Sequence, residues 1–511
     1  MAVSDNVIAY LTSWSDAFEQ FYRPGVGDYL KRFGKTTRAI SKNPKRRVIG
    51  GSMEVTMKTR KNRSARLTTD LMAPPPDAGP GAYTTYKVRF DHTTPASNDF
   101  SALQIGFQTS WYDIKKKADN TFKDSAGDFI RQDIEDGLED VAEEFAGSFH
   151  YPANAKLATI TGAADLVKLN DSDLFDSASA FTGTVAECLV KVDKSAMAHL
   201  GDGDLVDIYN ATEGDNMELR ACRIINVNAV DYTLVLSIET GTTLLDGGGA
   251  AANFTSFEAK VNDDNDVMHL YHSGSFEEDG SPDSGATIKG CLNNFFDPST
   301  DWFNIATANR LNATYRTLNP VRIDASAGGS DVQLTGDHFR QAGEAVGWAN
   351  GSYLDTDSRM IVMNRDQYRA VNLLQADSGM TVLPALQSDV GNKMNKAFGF
   401  DGWTLHDPTL GSVLLTVDDM AAYGVIDFLD IPSWEYVEPF PGGASFDFLP
   451  GQMAKIWHRT HYNSASTAQN YNAKYDGRPS KEFEAQGEQL YAWINTAPKR
   501  NVRIMGLDST L

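Results

Sequence analysis

Two segments of alternating apolar and basic residues, separated by a stretch rich in proline and glycine, constrain this chain most. In the first segment Val55 and Met57 alternate with Lys58 and Arg60, which is the period of a half-buried strand. The second segment repeats the pattern, with Tyr86, Val88 and Phe90 opposed to Lys87 and Arg89. Residues 73–81 between them are mostly Pro, Gly and Ala, a composition that does not pair as a sheet. We therefore predict a long hairpin that has too little apolar surface to fold alone and needs a neighbour.

Charge is distributed unevenly along the chain, and the hairpin region has a local excess of basic residues. The 511 residues have a formal net charge of −22, whereas residues 31–66 contain 13 Lys and Arg and one acid, Glu54. An acidic surface repels phosphate, so we do not expect the body of the protein to bind duplex DNA. Three partners fit the basic segment: nucleic acid, another acidic protein, or the acidic surface of a second copy of the chain.

Two amphipathic helices are predicted in the first 150 residues. Residues 5–23 have apolar side chains every three or four positions, and we expect this arm to pack on another element or subunit. A helix over residues 126–149 would be roughly 35 Å long at 1.5 Å per residue. One of its faces is acidic, and the other carries Phe129, Ile130, Ile134, Leu138, Val141, Phe145 and Phe149.

Composition and cysteine usage limit the class of protein. Hydrophobic residues make up 41% of the chain, which is enough for two or more domains. No run of about 18 apolar residues predicts a membrane-spanning helix, and residues 1–5 do not resemble the start of a signal peptide. Cys188, Cys222 and Cys291 are few and widely spaced, so we expect a reducing compartment and small buried thiols.

The composition changes after Tyr151–Pro152, where an acidic segment of short β-type runs begins. Residues 151–290 contain 23 acids and 8 bases, and clusters of Gly and Asp separate the runs. Such spacing predicts a small β-barrel or sandwich, which we interpret as a domain inserted over residues 152–285. The predicted strands are Val185–Val192, Leu205–Tyr209, Leu219–Val227, Thr233–Ile238 and Phe254–Val261.

From residue 290 onward the patterns alternate between helix and strand. Helices are predicted over Trp302–Leu318 and over Leu334–Ala349. A third is predicted to begin at an Asn364 cap, with Gln367 three positions later, and to end at Leu374. Strands are predicted at Arg359–Met363, Val413–Val417, Gly424–Leu429, Trp434–Val437, Trp457–Tyr462 and Gln489–Ile494.

Several short patterns suggest ligand chemistry, but none is complete. Gly34-Lys35-Thr36 ends like a phosphate-binding loop, yet Tyr29 stands where that fingerprint requires glycine. His269 and His272, like His458 and His461, are three apart in strand-like surroundings, which would turn them to opposite faces. The aspartates at 171, 173 and 176 and at 263, 264 and 266 lack the bidentate Glu of a calcium loop. We therefore predict no metal, no cofactor and no catalytic residue.

The order of these elements resembles that of the major capsid proteins of tailed bacteriophages, which have the Hong Kong 97-type fold. Asp128–Phe149 is similar to the spine helix of that family, and Ile288–Leu292 to a short Gly-Leu segment. Arg359–Leu374 resembles the strand-to-helix unit of the axial domain, and Ala421–Ile426 a later axial strand. The similarity covers most of the chain outside residues 152–285.

The resemblance implies an α+β fold with an inserted all-β domain. The implied regions are an N-terminal arm at 1–46, an extended-loop hairpin at 47–120, a peripheral-domain spine helix at 121–151, the insertion at 152–285, an axial α/β domain at 286–440, and a peripheral return at 441–511.

The implied function is that of a non-enzymatic major head protein, located in the virion and assembled in the host cytoplasm. Hexamers and pentamers would form an icosahedral shell that encloses DNA without binding it specifically, with no membrane involved. A portal and a separate scaffolding protein are expected, the latter because about 46 residues precede the hairpin; a decoration protein is left open. The hairpin becomes an inter-subunit clamp, whose contact residues we predict as Lys58, Arg60, Lys61, Arg63 and Arg66.

Two other functions remain open on the sequence alone. An encapsulin-type bacterial shell protein that encloses an enzyme cargo has the same fold, although its usual subunit is shorter and lacks a large β insertion. A modular enzyme or glycan-binding protein would use the β segment at 152–285 as its ligand domain. That segment contains no Trp, which disfavours glycan binding.

Overall fold

A computed structural model of the chain describes the following residues: 34–42, 48, 51–58, 83–90, 99–110, 140, 142–152, 155–167, 186–193, 199–212, 216–228, 231–238, 254–264, 266–273, 275, 290–311, 318–327, 330–350, 359–378, 403–407, 411–439, 455–459 and 482–508. The predicted helix at 5–23 and the first part of the one at 126–149 lie outside these residues.

The described strands and helices follow one another in a mixed α and β order. The strands are β1 (Ser41–Lys42), β2 (Ser52–Lys58), β3 (Tyr83–Arg89), β4 (Ser101–Ser110), β5 (Ala158–Val167), β6 (Ala186–Val192), β7 (Leu205–Asn210), β8 (Asn216–Asn228), β9 (Thr233–Ile238), β10 (Met268–His272), β11 (Val321–Asp324), β12 (Arg359–Met363), β13 (Trp403–Asp407), β14 (Gly411–Val417), β15 (Ile426–Asp430), β16 (Trp434–Val437), β17 (Lys455–Arg459), β18 (Glu482–Asn495) and β19 (Val502–Met505). The α-helices are α1 (Lys35–Ala39), α2 (142–150), α3 (Phe254–Ala259), α4 (Leu292–Phe296), α5 (Thr307–Leu311), α6 (Gly336–Asn350) and α7 (Arg365–Ser378). A π-helix follows α3 at Lys260–Asp264, and 3-10 turns lie at Ile431–Ser433 and Pro498–Arg500.

The chain divides into two compact units, and the first combines three separate stretches of sequence. These are Met1–Met53, Phe100–Ala146 and Trp434–Ile494. Its described sheet has the order β1-β16-β18-β17, and β4 also pairs with β18. Phe145 of α2 packs its ring 4.7 Å from that of Trp493 and 5.0 Å from that of Tyr491, both on β18. The apolar face predicted for this part of the helix is therefore buried on the sheet.

The second unit consists of Glu54–Asp99, Gly147–Ser433 and Asn495–Leu511, and it contains a closed barrel. The described barrel strands follow the order β10-β5-β6-β9-β8-β7, and its core includes Cys188, Leu219 and Leu236. Strand β9 has the bounds predicted from the sequence, and β6, β7 and β8 match their predictions to within three residues.

The predicted strand at Phe254–Val261 is wrong, because these residues form α3 and the start of the π-helix. Phe257 and Val261, four positions apart, both pack into the barrel core, and this spacing places two side chains on one face in a helix as well as in a strand. The sixth described barrel strand is instead β10, where His269 and His272 lie in a strand as expected.

A mixed sheet forms the other large part of the second unit. Its described order is β11-β19-β15-β12-β14-β13, with β11 and β19 parallel and β12 and β14 parallel. Strand β12 has the predicted bounds, and the Oδ1 atom of Asn364 accepts the N–H of Gln367 at 3.0 Å as the predicted cap of α7. Helices α6 and α7 contribute Phe339 and Tyr368 to the core of this sheet.

Candidate assembly element: the base of the basic hairpin

Strands β2 and β3 pair as a two-stranded sheet, which we call the hairpin base. Val55 and Met57 of β2 and Tyr86 and Val88 of β3 are completely buried, whereas the intervening Glu54, Thr56, Thr85 and Lys87 are exposed. The inward positions predicted for Val55, Met57, Tyr86 and Val88 are therefore confirmed, as is the outward position of Lys87. One face of the hairpin base is covered by protein, and the other faces solvent.

Tyr86 makes the main contact between the hairpin base and the rest of the second unit. Its ring stacks on that of Phe303, with the centroids 5.3 Å apart and the planes at 19°. Its hydroxyl donates to the backbone oxygen of Asn495 at 3.1 Å and accepts from the backbone N–H of Asn495 at 3.2 Å. A buried tyrosine hydroxyl with both hydrogen-bonding roles satisfied fixes its ring in position and angle.

Two polar contacts hold β3 at residues that follow this tyrosine. The backbone N–H of Lys87 donates to the Oδ1 atom of Asn304 at 2.6 Å. The guanidinium of Arg89 donates to both oxygens of Asp99 at 3.3 Å, and the backbone N–H of Arg89 donates to the same carboxylate at 2.7 Å. The side chain of Asp99 is fully buried, so these bonds are screened less by solvent than surface pairs.

On the exposed face, Lys87 lies 3.5 Å from Glu54 across the two strands. Both side chains are more than half exposed, and such a pair adds little stability. The hairpin base is therefore held by its buried face.

Of the five predicted contact residues, only one lies within the described residues. Lys58 is the last residue of β2, and Arg60, Lys61, Arg63 and Arg66 lie outside the described residues. The structure thus describes the base on which residues 59–82 begin and end, and the contacts of the five bases stay a prediction.

The turn that receives Tyr86 was not predicted, because residues 302–318 were expected to be one helix. That prediction is wrong over its first part: Trp302 and Ile305 form a β-bridge, and α5 begins only at Thr307. The signal against a helix start is the preceding pair of Asp297 and Asp301. Their carboxylates accept the backbone N–H groups of Ser299 and Thr307.

The three cysteines, Cys188, Cys222 and Cys291, are buried and form no disulfide bond, as expected. Burial raises the pKa of the Cys291 thiol to about 11. Burial also raises the pKa of Cys222, with a smaller contribution from the charge of Asp207.

The residues that the structure describes contain no group of three or more His, Cys, Asp and Glu side chains arranged to hold a metal ion. None of the helices in these ranges is long and apolar enough to cross a membrane.

Comparisons with known proteins find capsid structures. No family model and no curated protein matches the chain. The chain is similar to a chain of the cyanophage A-1(L) capsid, with 8% identity, a TM-score of 0.41 and 93% of each chain covered. It is similar to a chain of the capsid of a native GTA particle, with 9% identity, a TM-score of 0.35 and coverage of 92% and 89%. An encapsulin from Synechococcus elongatus gives 12% identity and a TM-score of 0.21 over 40% of this chain and 61% of that chain.

The similarities to these two capsid chains extend along most of this chain, whereas the similarity to the encapsulin covers 40% of it. All three TM-scores are below 0.5, so these similarities do not by themselves establish a shared fold or function.

Proposed function

We propose that this chain is the major capsid protein of a tailed double-stranded DNA bacteriophage, which assembles into an icosahedral shell around the genome. The order of sequence elements supports the proposal, as do the mixed α and β content and the basic hairpin on an otherwise acidic chain.

The observation that carries the proposal is the anchored hairpin base. Strands β2 and β3 have one fully buried face, and Tyr86, Lys87 and Arg89 bond to residues outside the two strands. Between the strands lie residues 59–82, which contain four bases, Arg60, Lys61, Arg63 and Arg66, and two acids, Asp70 and Asp77. A firmly held base is suited to present this net basic segment to an acidic surface.

An identical copy supplies such a surface, because the chain as a whole carries a net charge of −22. Each contact between exposed charges is weak. In a closed shell, however, every subunit makes several contacts at once, and their free energies combine through closure and multivalency. Weak individual clamps are therefore sufficient for a stable shell.

The test is charge reversal in the predicted clamp. A variant with Lys58, Arg60, Lys61, Arg63 and Arg66 all replaced by Glu is expected to remain a folded, unassembled chain, measured by circular dichroism, sedimentation velocity and negative-stain microscopy. The wild type is expected to form closed particles under the same conditions.

A matched control makes the same change in net charge elsewhere. It replaces five exposed bases outside the hairpin, Lys191, Arg223, Arg340, Arg365 and Arg369, by Glu. This control should still form particles. Normal shells from the clamp variant, or loss of shells in both variants alike, would refute the clamp.

The proposed partners follow from the proposed function. Hexamers and pentamers of this chain would form the shell, with a separate scaffolding protein and a portal. Expression of this chain alone tests the scaffolding partner, because uniform closed shells without any second protein would remove the need for it. The acidic body would enclose DNA without binding it specifically. Strong, salt-sensitive DNA binding by purified shells would contradict that part.

A further inference from the structure

The turn at Trp302–Ile305 is strained at the residue that touches the hairpin base. Trp302 and Ile305 exchange backbone hydrogen bonds of 3.1 and 2.9 Å, and between them Phe303 has a φ of 53°. A bulky side chain rarely adopts this left-handed conformation, which is unfavourable and persists only where surrounding contacts enforce it.

The strained conformation places two neighbouring side chains on the hairpin base at once. Phe303 stacks on the ring of Tyr86, and the next residue, Asn304, accepts the backbone N–H of Lys87. Strand β3 is thus held through a side chain and through its own backbone. The backbone contact fixes the strand irrespective of which side chain residue 87 carries.

The turn itself rests on a rigid support. The ring of Trp302 lies 5.0 Å from that of Phe295 in α4. The buried guanidinium of Arg310 donates to the backbone oxygens of Asn294, Phe295 and Thr300, at 3.0, 2.6 and 2.9 Å. An arginine that bonds three carbonyl groups holds the segment before the turn in one conformation.

We infer that the Trp302–Ile305 turn is a latch that fixes the direction of the hairpin base and thereby sets the angle at which a second copy of the chain can bind. Phe303 and Asn304 are positioning residues: Phe303 holds the ring of Tyr86, and Asn304 holds the backbone of Lys87. This inference rests on the proposed function, since only an assembling chain uses that angle.

The experiment compares hydrogen exchange and particle size in Tyr86→Phe, Asn304→Ala and the wild type. Tyr86→Phe keeps the ring stack and removes the hydroxyl bonds, and Asn304→Ala removes the bond to Lys87. In the unassembled chain, each variant is expected to exchange the amides of β2 and β3 about tenfold faster than the wild type, with the barrel unchanged. Under assembly conditions, each should give particles of visibly broader size distribution.

The matched control is Tyr271→Phe, which removes a buried tyrosine hydroxyl from the barrel. It should leave both the exchange of β2 and β3 and the particle size unchanged. Unchanged exchange in Tyr86→Phe and Asn304→Ala would overturn the latch. Faster exchange with a normal particle size would overturn its role in assembly. A wild-type chain that forms no particles, either alone or when co-produced with a scaffolding protein, would refute the proposed function, while the exchange measurement would still test the latch.

Discussion

At the scale of single residues, Arg503 joins several buried groups of the second unit. Its guanidinium donates to both oxygens of Asp427, at 2.7 and 2.9 Å, and to the Oδ1 atom of Asn293 at 2.5 Å. It also lies 4.5 Å from the ring centroid of Phe296. Asn293 in turn donates to the backbone oxygen of His150 at the end of α2. Arg503 therefore links the mixed sheet to α4, and Asn293 links α4 to the end of α2.

Replacing Asp427 by Leu should destabilise the fold strongly, because it leaves the guanidinium of Arg503 buried without its carboxylate. We expect a loss of about 3–5 kcal/mol in the free energy of unfolding, measured by urea denaturation. The comparison variant is Asp337→Leu, which breaks the exposed pair with Arg340 and should cost clearly less. Equal losses in the two variants would show that the buried pair has no special role.

The buried thiols predict a loss of stability at high pH. The pKa of Cys291 is raised from 9.0 to about 11 by burial. Between these values the unfolded chain releases the thiol proton and the folded chain retains it, so the free energy of unfolding falls as pH rises through the window. Below about pH 9 the protonated thiol is retained in both states, and no loss from this group is expected.

The measurement is urea denaturation of the wild type and Cys291→Ala at intervals across that pH range. The variant should lose less stability than the wild type between pH 9 and 11.

A thiol-reactive disulfide reagent at pH 8 should also leave Cys291 unlabelled in the folded protein and label it after unfolding. Rapid labelling of the folded protein would contradict this account of the site.

At the scale of elements, the cap of α7 gives a direct test of a sequence prediction. The Oδ1 atom of Asn364 accepts the backbone N–H groups of Asp366 and Gln367, both at 3.0 Å. Asn364→Ala should lower the free energy of unfolding by about 1 kcal/mol, whereas Asn364→Asp keeps an acceptor and should lower it less. Urea denaturation measures both, and equal values would argue against the cap.

The elements that could be predicted from the sequence are those in which local pattern and tertiary environment agree. Thr233–Ile238, Arg359–Met363 and Trp434–Val437 are apolar runs between polar turns, and each is a strand with the predicted bounds. Strand β5 was missed, because its first residues include small side chains such as Ala158 and Gly162, which have weak strand preference. The segment at 254–261 was predicted as a strand and is helical, because its few apolar residues fit the period of a helix as well as that of a strand.

Of the candidate site, the hairpin strands were predicted from the sequence, and the residues that hold them were not. The alternation in β2 and β3 identifies Tyr86 as inward-facing from local pattern alone. Its partners lie far away in sequence: Asn304 is 217 residues from Lys87, and Asn495 is 409 residues from Tyr86. A pairing over such distances is set by the tertiary fold and leaves no periodic signal in one sequence.

At the scale of the whole molecule, an electrostatic clamp predicts assembly that depends on salt. Exposed charges interact over a Debye length of about 10 Å at 0.1 M ionic strength and about 3 Å at 1 M. The assembled fraction, measured by sedimentation velocity, should therefore fall as NaCl rises from 0.1 to 1 M. Apolar contacts would persist or strengthen over the same range, so an unchanged or rising assembled fraction would contradict a clamp made by the five bases.

The closed barrel has a consequence for copies that are crowded together. Shell formation would bring many identical chains to a high local concentration, where an open sheet edge acts as a template for cross-pairing and aggregation. In the described residues β5 to β10 close into a ring, so each of these strands has a partner on both sides. The shortest strand pairing of the ring is between β5 and β10, which share two residue pairs, compared with five between β7 and β10. The resistance of the barrel to aggregation therefore depends most on the short seam that joins Ala158 and Thr159 to Leu270 and His269.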